Sequence, residues 1–150
     1  MTREEFDKII EFAILREQDA VEFYHQLQKH AKFADQKQML IDFENMEKGH
    51  IIVLKNIHKK GLDYLDPNRP SNMKTSDYIL ANYDDKDLSY ENILVRAIKR
   101  EEYSYKLYKD LATKFPDTEV AVLFKNLAAE EIKHKNHFSG MYDKHVLKDN

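Results

Sequence analysis

The second half of this sequence repeats the first half at a constant shift of 84 positions, the distance from Glu17 to Glu101. Eight further pairs obey the same shift: Ala13 and Ala97, Arg16 and Arg100, Tyr24 and Tyr108, Leu27 and Leu111, Phe43 and Leu127, Glu47 and Glu131, His50 and His134, and Leu54 and Phe138. An internal repeat predicts two copies of one supersecondary unit that together bury an apolar core. Every helix predicted in one half must therefore have a counterpart in the other.

Each half contains two amphipathic helices according to the spacing of its apolar residues. These residues recur every three or four positions, as on a helix that buries one face. Only three Gly and three Pro occur in the 150 residues, which favours helices over turn-rich sheets. Thr2 and Glu5 have the spacing of a capping box, and Gly61 can cap the end of the second helix. The predicted helices cover residues 3–31, 35–60, 89–114 and 118–145.

A long connection is predicted between the two helical hairpins, over residues 61–88. It contains Pro67 and Pro70 and has no long helical period, although Thr75 to Tyr83 can form a short helix. The chain has the length of one domain, residues 1–150. Two hairpins with a long crossover suit a four-helix bundle whose halves are related by a pseudo-twofold axis. The predicted fold class is all-α.

Each predicted helix has one line of apolar residues along its buried face, which we call its seam. Six polar side chains lie on these otherwise apolar seams. Residues at i and i+3 share a helix face, so the glutamate and histidine of each Glu-x-x-His motif point together. Four carboxylates inside a bundle would repel one another and lose hydration, whereas two divalent cations would neutralise them. Oxygen and nitrogen donors suit iron or manganese, and this ligand set is that of di-metal carboxylate bundles. The predicted metal ligands are Glu17, Glu47, His50, Glu101, Glu131 and His134.

Two tyrosines extend this pattern. Tyr24 and Tyr108 each lie seven residues after a predicted ligand, two turns along the same seam. There each hydroxyl can hydrogen-bond a ligand carboxylate from a neighbouring helix. Gly49 lies between the ligands of the second helix and destabilises a helix by roughly 1 kcal/mol relative to Ala. It either permits close packing or is simply tolerated.

The remaining polar and aromatic residues have ordinary interpretations. Histidines without a matching acid in the other half are predicted to lie on the surface: His25, His30, His58, His137 and His145. Glutamates beside the predicted ligands are predicted to be solvent-exposed: Glu44, Glu102 and Glu130. Aromatic residues on the seams are predicted to pack in the core: Phe6, Phe43, Tyr90, Phe115, Phe124 and Phe138.

The composition excludes several classes of function. Cys is absent, so the chain contains no disulfide, no catalytic thiolate and no Cys-based zinc or iron-sulfur site. The net charge is -3 with both signs spread along the sequence, which argues against nucleic-acid binding. The charged N-terminus is followed by no apolar run long enough for a signal peptide or a membrane span, so we expect a cytoplasmic protein without membrane contact.

The sequence resembles the ferritin-like superfamily and, within it, the short rubrerythrin-related proteins. The motifs that carry the resemblance are Arg16-Glu17, Glu47-x-x-His50, Arg100-Glu101 and Glu131-x-x-His134. The resemblance implies a ferritin-like bundle with a di-iron centre. Glu47 and Glu131 would bridge the irons, Glu17 and Glu101 would be terminal ligands, and each histidine would bind one iron. It also implies a homodimer.

Two departures from the rubrerythrin pattern concern electron transfer. Rubrerythrins carry an extra glutamate one turn after the ligand of the third helix, where this sequence has Ser104. Their redox-linked exchange of ligands is therefore not expected here. Rubrerythrins usually also carry a Cys-rich rubredoxin domain, which a chain without Cys does not contain, so an external electron donor is needed.

Three functions are compatible with the sequence. The leading hypothesis is a non-haem di-iron oxidoreductase that reduces hydrogen peroxide, or dioxygen, with electrons from two ferrous ions; manganese or zinc could substitute for iron. The alternative is the binding and oxidation of iron for storage or delivery, without catalytic turnover. A third is a non-catalytic interaction protein, which would contain no stoichiometric metal.

Overall fold

Four long α-helices account for most of the chain. The computed structural model describes residues 1–31, 34–79 and 89–149, and no strand occurs in these ranges. The helices are α1 (Arg3–Leu27), α2 (Ala34–Gly61), α3 (Tyr90–Ala112) and α4 (Glu119–Asp149). Three 3₁₀ turns cover Gln28–His30, Leu62–Tyr64 and Thr75–Tyr78. The fourth helix thus continues beyond residue 145, where the sequence pattern placed its end.

The described residues form two compact helical hairpins. The first hairpin, Met1–Met73, contains α1 and α2, and the second, Lys74–Asn150, contains α3 and α4. Each hairpin therefore corresponds to one copy of the sequence repeat. Among the described residues, no helix is both long enough and apolar enough to cross a membrane.

Helix α1 begins with the predicted capping box. The Thr2 hydroxyl accepts a hydrogen bond from the backbone N–H of Glu5 at 3.2 Å, and the Thr2 backbone N–H donates to the Glu5 carboxylate at 2.9 Å. These bonds satisfy donors that the first turn of a helix leaves without intrahelical partners. The capping box fixes the first residue of α1 and therefore the number of helical turns that precede Glu17.

Gly61 ends α2, but for a different reason from the one predicted. Its φ is -68°, which is right-handed helical, so it is not a left-handed glycine cap. A Cβ at this position would collide with the ring of Phe6, whose Cε2 atom would lie 3.0 Å away. Glycine is therefore required here by the close approach of Phe6 to the α2 backbone.

Part of the predicted connection is tied to the start of α1. The Asp66 backbone N–H donates to the carbonyl of Met1 at 3.0 Å, and both the N–H and the hydroxyl of Ser71 donate to Glu5. The short helix expected over Thr75 to Tyr83 is observed only as the turn Thr75–Tyr78; Tyr83 lies outside the described residues. The connection is thus anchored rather than loose from residue 66 to residue 71.

The second hairpin is organised in the same way. Ser89 caps α3 by accepting a hydrogen bond from the Asn92 N–H at 3.2 Å. The buried Tyr78 hydroxyl donates to Asp110 of α3 at 2.6 Å, which fastens the preceding turn to the helix. Asp117, between α3 and α4, has φ of 60°, a conformation that Asp tolerates better than most residues.

The predicted aromatic core is largely confirmed. Five of the six seam aromatics are buried: Phe6, Phe43, Phe115, Phe124 and Phe138. The prediction for Tyr90 was wrong, because 41% of this residue is exposed and its ring packs edge-on against His145. Tyr90 is the first residue of α3, where the helix has no preceding turn to cover the side chain.

Candidate metal centre

The first hairpin brings together the three ligands that the sequence predicted in it. Glu17 comes from α1, while Glu47 and His50 lie one turn apart on α2. They are 1%, 1% and 3% exposed, respectively. The Nδ1 atom of His50 lies 3.5 Å from Glu17 Oε2 and 3.6 Å from Glu47 Oε2. We call these residues the first triad.

The second hairpin contains an equivalent second triad. Glu101 comes from α3, and Glu131 and His134 come from α4. All three are buried as deeply as their counterparts, and Nδ1 of His134 lies 3.7 Å from Glu101 Oε2. The sequence repeat is thus reproduced in the structure: the distance from the histidine Nδ1 to the carboxylate of the first glutamate is 3.5 Å in the first triad and 3.7 Å in the second.

The spacing within each triad suits a shared cation. Each residue offers one ligand atom, and within each triad these atoms lie within 4.8 Å of one another. Ligand atoms that bind one metal at about 2.1 Å, with bonds meeting at about 90 to 110°, lie about 3.0–3.4 Å apart. The observed 3.5–3.7 Å between imidazole and carboxylate is close to this edge length. It exceeds the range of about 2.7–3.2 Å for N–H···O hydrogen bonds.

The chemistry of the donors also fits a metal. Each triad offers two carboxylate groups and one imidazole, a set that suits iron, manganese or zinc better than copper(I) or an iron-sulfur cluster. Carboxylates held in an apolar interior are destabilising unless a positive charge compensates them. One divalent cation in each triad would neutralise its two carboxylates. The arrangement can therefore hold metal without further charged groups.

Tyr24 and Tyr108 are both almost fully buried. Tyr24 packs against Phe43 with ring centroids 5.8 Å apart, and Tyr108 stacks on Phe124 at 6.4 Å. These aromatic contacts fix the two rings within their own hairpins. A hydrogen bond from either hydroxyl to a ligand carboxylate remains a prediction.

The prediction that Glu44 is exposed was wrong. Glu44 is only 8% exposed, and its carboxylate accepts three hydrogen bonds. The donors are His25 Nδ1 at 2.7 Å, Lys48 Nζ at 2.9 Å and Gln28 Nε2 at 3.0 Å. The hydrogen bond from Lys48 lowers the pKa of Glu44 and outweighs the opposing effect of burial, and those from His25 and Gln28 lower it further. We call these four residues the Glu44 network.

Sequence reasoning had one signal for this network. Lys48 follows Glu44 by four residues, the spacing of a favourable ion pair on a helix. The contacts with His25 and Gln28 come from α1 and from the turn that follows it, and they leave no local pattern in the sequence. His25 itself is exposed, as predicted, and so is His137.

The other flanking residues have structural roles. Glu102 is half-buried and pairs with Lys99 at 3.6 Å and Lys135 at 3.4 Å. Glu130 is also half-buried, so neither glutamate is as exposed as predicted. His58 is half-buried and pairs with Asp7 at 2.6 Å while stacking on Phe6. None of these contacts involves a triad residue.

A comparison with protein families identifies the chain. The model of the rubrerythrin family matches residues 8–142, a range that includes both triads and all four helices except their outermost residues. No curated protein and no solved structure gave a match. The match extends the resemblance seen in the motifs to nine-tenths of the chain. This protein therefore belongs to the rubrerythrin family, and its fold class is all-α and ferritin-like.

Proposed function

We propose that this protein is a non-haem di-iron oxidoreductase that reduces hydrogen peroxide, or dioxygen, with ferrous iron. The observation that carries the proposal is the pair of buried Glu-Glu-His triads, one in each hairpin, with equivalent spacing. Membership of the rubrerythrin family supports iron as the metal. Each triad would hold one iron, and the repeat together with the family membership supports joining both irons in one centre.

The six ligands have distinct roles in this proposal. Glu47 and Glu131 would bridge the two irons, as the rubrerythrin resemblance implies. Glu17 and Glu101 would be terminal ligands, and His50 and His134 would each bind one iron through the Nδ1 atom that faces the carboxylates. Bound ferrous iron would supply the two electrons that peroxide reduction requires.

The surrounding protein would control access and geometry. Apolar side chains of the seams exclude bulk water from the triads, which strengthens the hold of the carboxylates on a cation. Tyr24 and Tyr108 are held rigidly by aromatic packing and would orient ligand carboxylates. Electrons would come from an external donor, because the 150 residues contain no Cys for a rubredoxin centre. We further propose a homodimer.

Metal content tests the site. The chain is purified without added metal, reconstituted anaerobically with ferrous iron and assayed for iron per chain. We expect about two irons in the unmodified protein and large losses in Glu47→Ala and Glu131→Ala. A matched pair on α1 separates ligand loss from general charge effects: Glu17→Gln removes a buried ligand, whereas Glu11→Gln changes an exposed glutamate of the same helix.

Peroxide consumption tests the activity. The reduced, iron-loaded protein is mixed with hydrogen peroxide and, separately, with dioxygen, and the oxidation of iron is followed by absorbance. Rapid oxidation by peroxide, with repeated turnover when a reductant is supplied, supports the oxidoreductase. Oxidation by dioxygen alone, once per loading, supports iron storage or delivery instead. Failure to bind iron after reconstitution would refute both functions.

A further inference from the structure

The Glu44 network connects a surface histidine to a buried carboxylate. The side chain of His25 is 57% exposed, and that of Glu44 is 11% exposed. Their 2.7 Å contact joins His25 Nδ1 to Glu44 Oε1, which is short enough for direct proton transfer between them. A proton taken from solvent by His25 can thus reach a group inside the first hairpin.

Glu44 also lies beside the first triad along the chain. It precedes Glu47 by three residues on α2, so the two side chains share a helix face with Cβ atoms about 5–6 Å apart. One water molecule, or rotation of one carboxylate, spans such a gap. Glu44 is therefore the member of the network that lies one helical turn from a triad residue.

The residues of the Glu44 network are not repeated in the second half of the sequence. The repeat places Lys109, Ala112, Ala128 and Ile132 at the positions of His25, Gln28, Glu44 and Lys48, respectively. Ala128 is buried and carries no proton, so the position equivalent to Glu44 is apolar. The two halves share the metal ligands but differ in the groups beside them. This asymmetry is not needed for metal binding, which uses equivalent residues in both halves.

We propose that His25 and Glu44 carry protons from solvent to the first triad during peroxide reduction. This inference rests on the proposed function. Reduction of one hydrogen peroxide to two water molecules breaks the O–O bond and consumes two protons and two electrons. The electrons come from two ferrous ions, which become ferric, and the protons come from solvent through His25 and then Glu44. Each transfer leaves His25 neutral and ready to take the next proton.

The charges around Glu44 are suited to this role. The titratable groups in contact with it are His25 of α1 and Lys48 of α2, and the contact from the Gln28–His30 turn is the uncharged Gln28. The hydrogen bond from Lys48 lowers the pKa of Glu44, which favours release of a proton that Glu44 has received from His25. Glu47 is the triad residue that lies one turn from Glu44 along α2. The network thus contains a donor, an acceptor and a fixed positive charge.

Zinc loading tests the connection without any turnover. The NMR signals of each histidine ring are measured in the metal-free protein and after loading with Zn²⁺. His58 is a matched control, because it lies eight residues beyond His50 as His25 lies eight beyond Glu17, a rise of about 12 Å in both cases. His58 is also paired with a carboxylate, Asp7, at 2.6 Å.

We expect zinc to change the NMR signals of the His25 ring more than those of the His58 ring, because the charge of the cation acts on Glu44, which is hydrogen-bonded to His25. Glu44→Gln should abolish this difference, since Gln cannot carry the charge. Equal changes at His25 and His58 would mean that Glu44 is not coupled to the triad and would overturn the proposal.

The rate of peroxide-driven iron oxidation gives a second test. We expect Glu44→Gln and His25→Ala to lower it about tenfold near pH 8 with iron content unchanged, and added imidazole to restore the rate of His25→Ala. Gln28→Ala removes one hydrogen bond to Glu44 but no proton carrier, and should retain at least half the rate. His58→Ala should match the unmodified protein.

The outcomes separate this proposal from the proposed function. If the unmodified protein binds no iron, both fail. If it binds iron and reacts with peroxide, but His25→Ala reacts at the normal rate without imidazole, the network only fastens the hairpin and the proton route is wrong. Should Glu44→Gln fail to fold, His25→Ala still decides the question, because its side chain is mostly exposed.

Discussion

The carboxylate of Glu5 accepts hydrogen bonds from both the backbone N–H and the hydroxyl of Ser71, at 2.9 and 2.8 Å, across 66 positions of sequence. The same carboxylate completes the capping box with Thr2. Partial burial by itself would raise its pKa, but the hydrogen bonds from Thr2 and Ser71 outweigh burial and lower the pKa from 4.5 to about 2. Glu5 thus joins the start of α1 to the connection that follows α2.

Glu5→Gln should destabilise the protein at neutral pH and much less in acid. Because folding lowers the pKa of Glu5, the ionised carboxylate stabilises the folded state above about pH 4.5. This stabilisation disappears as the pH falls towards 2. Because the group is largely solvated, we expect a loss of only about 1 kcal/mol at pH 7. Urea unfolding at pH 7 and at pH 2.5 measures it. Glu4→Gln is the control, since Glu4 is exposed and pairs only with Lys8 in the same turn. Equal effects of the two variants would contradict this role.

Gly49→Ala should stabilise the protein. A Cβ at Gly49 would meet no atom within 4 Å among the described residues, so the substitution adds helix propensity without collision. We expect a gain of about 1 kcal/mol, or a rise in Tm of about 2–4 °C for a chain of this size. Gly140→Ala, in the middle of α4 with the same open surroundings, should behave alike. A lower Tm for Gly49→Ala alone would show that another molecule covers this part of α2.

Gly61→Ala should have the opposite effect. The added Cβ would collide with the Phe6 ring, which is fully buried and stacked on His58, so the ring has little freedom to move. Overpacking of this kind is destabilising by about 1–3 kcal/mol. The combination Gly61→Ala with Phe6→Leu should recover part of the loss, because the smaller side chain makes room. Thermal unfolding of the single and double variants tests this, and no recovery in the double variant would argue against the collision.

Removing metal should lower the Tm, because each triad would lose the cation that it binds in the folded state. A ligand that binds only the folded state adds about 2.7 kcal/mol at a hundredfold excess over its Kd. We therefore expect Tm to fall when a chelator is added to the iron-loaded protein. Glu101→Gln should weaken this response, whereas Glu102→Gln, which alters the neighbouring residue paired with Lys99 and Lys135, should leave it intact. If the chelator lowered the Tm of Glu101→Gln as much as that of the unmodified protein, the second triad would not be part of the metal site.

The helices and the predicted ligands followed from local properties of the sequence. In any α-helix, residues three or four positions apart lie on one face. A glutamate at a seam position, such as Glu17 or Glu131, is therefore buried when that face packs against another helix. The spacing of Glu47 and His50 places both on one face in any α-helix. All six side chains are buried, as this reasoning predicts, and their role as metal ligands stays a prediction. Glu44 was predicted to be exposed because it lies off the seam and has no counterpart in the other half.

The sequence by itself determined the all-α class, the boundaries of the helices to within a few residues and the residue types that each hairpin offers to a metal. Only the tertiary structure decided the contacts of Glu44 with His25 and Gln28, the requirement for glycine at position 61 and the anchoring of Ser71 by Glu5. These contacts join residues separated by 16 to 66 positions. They depend on which turns of two antiparallel helices face each other, and that register is set by packing of the whole hairpin rather than by any local period.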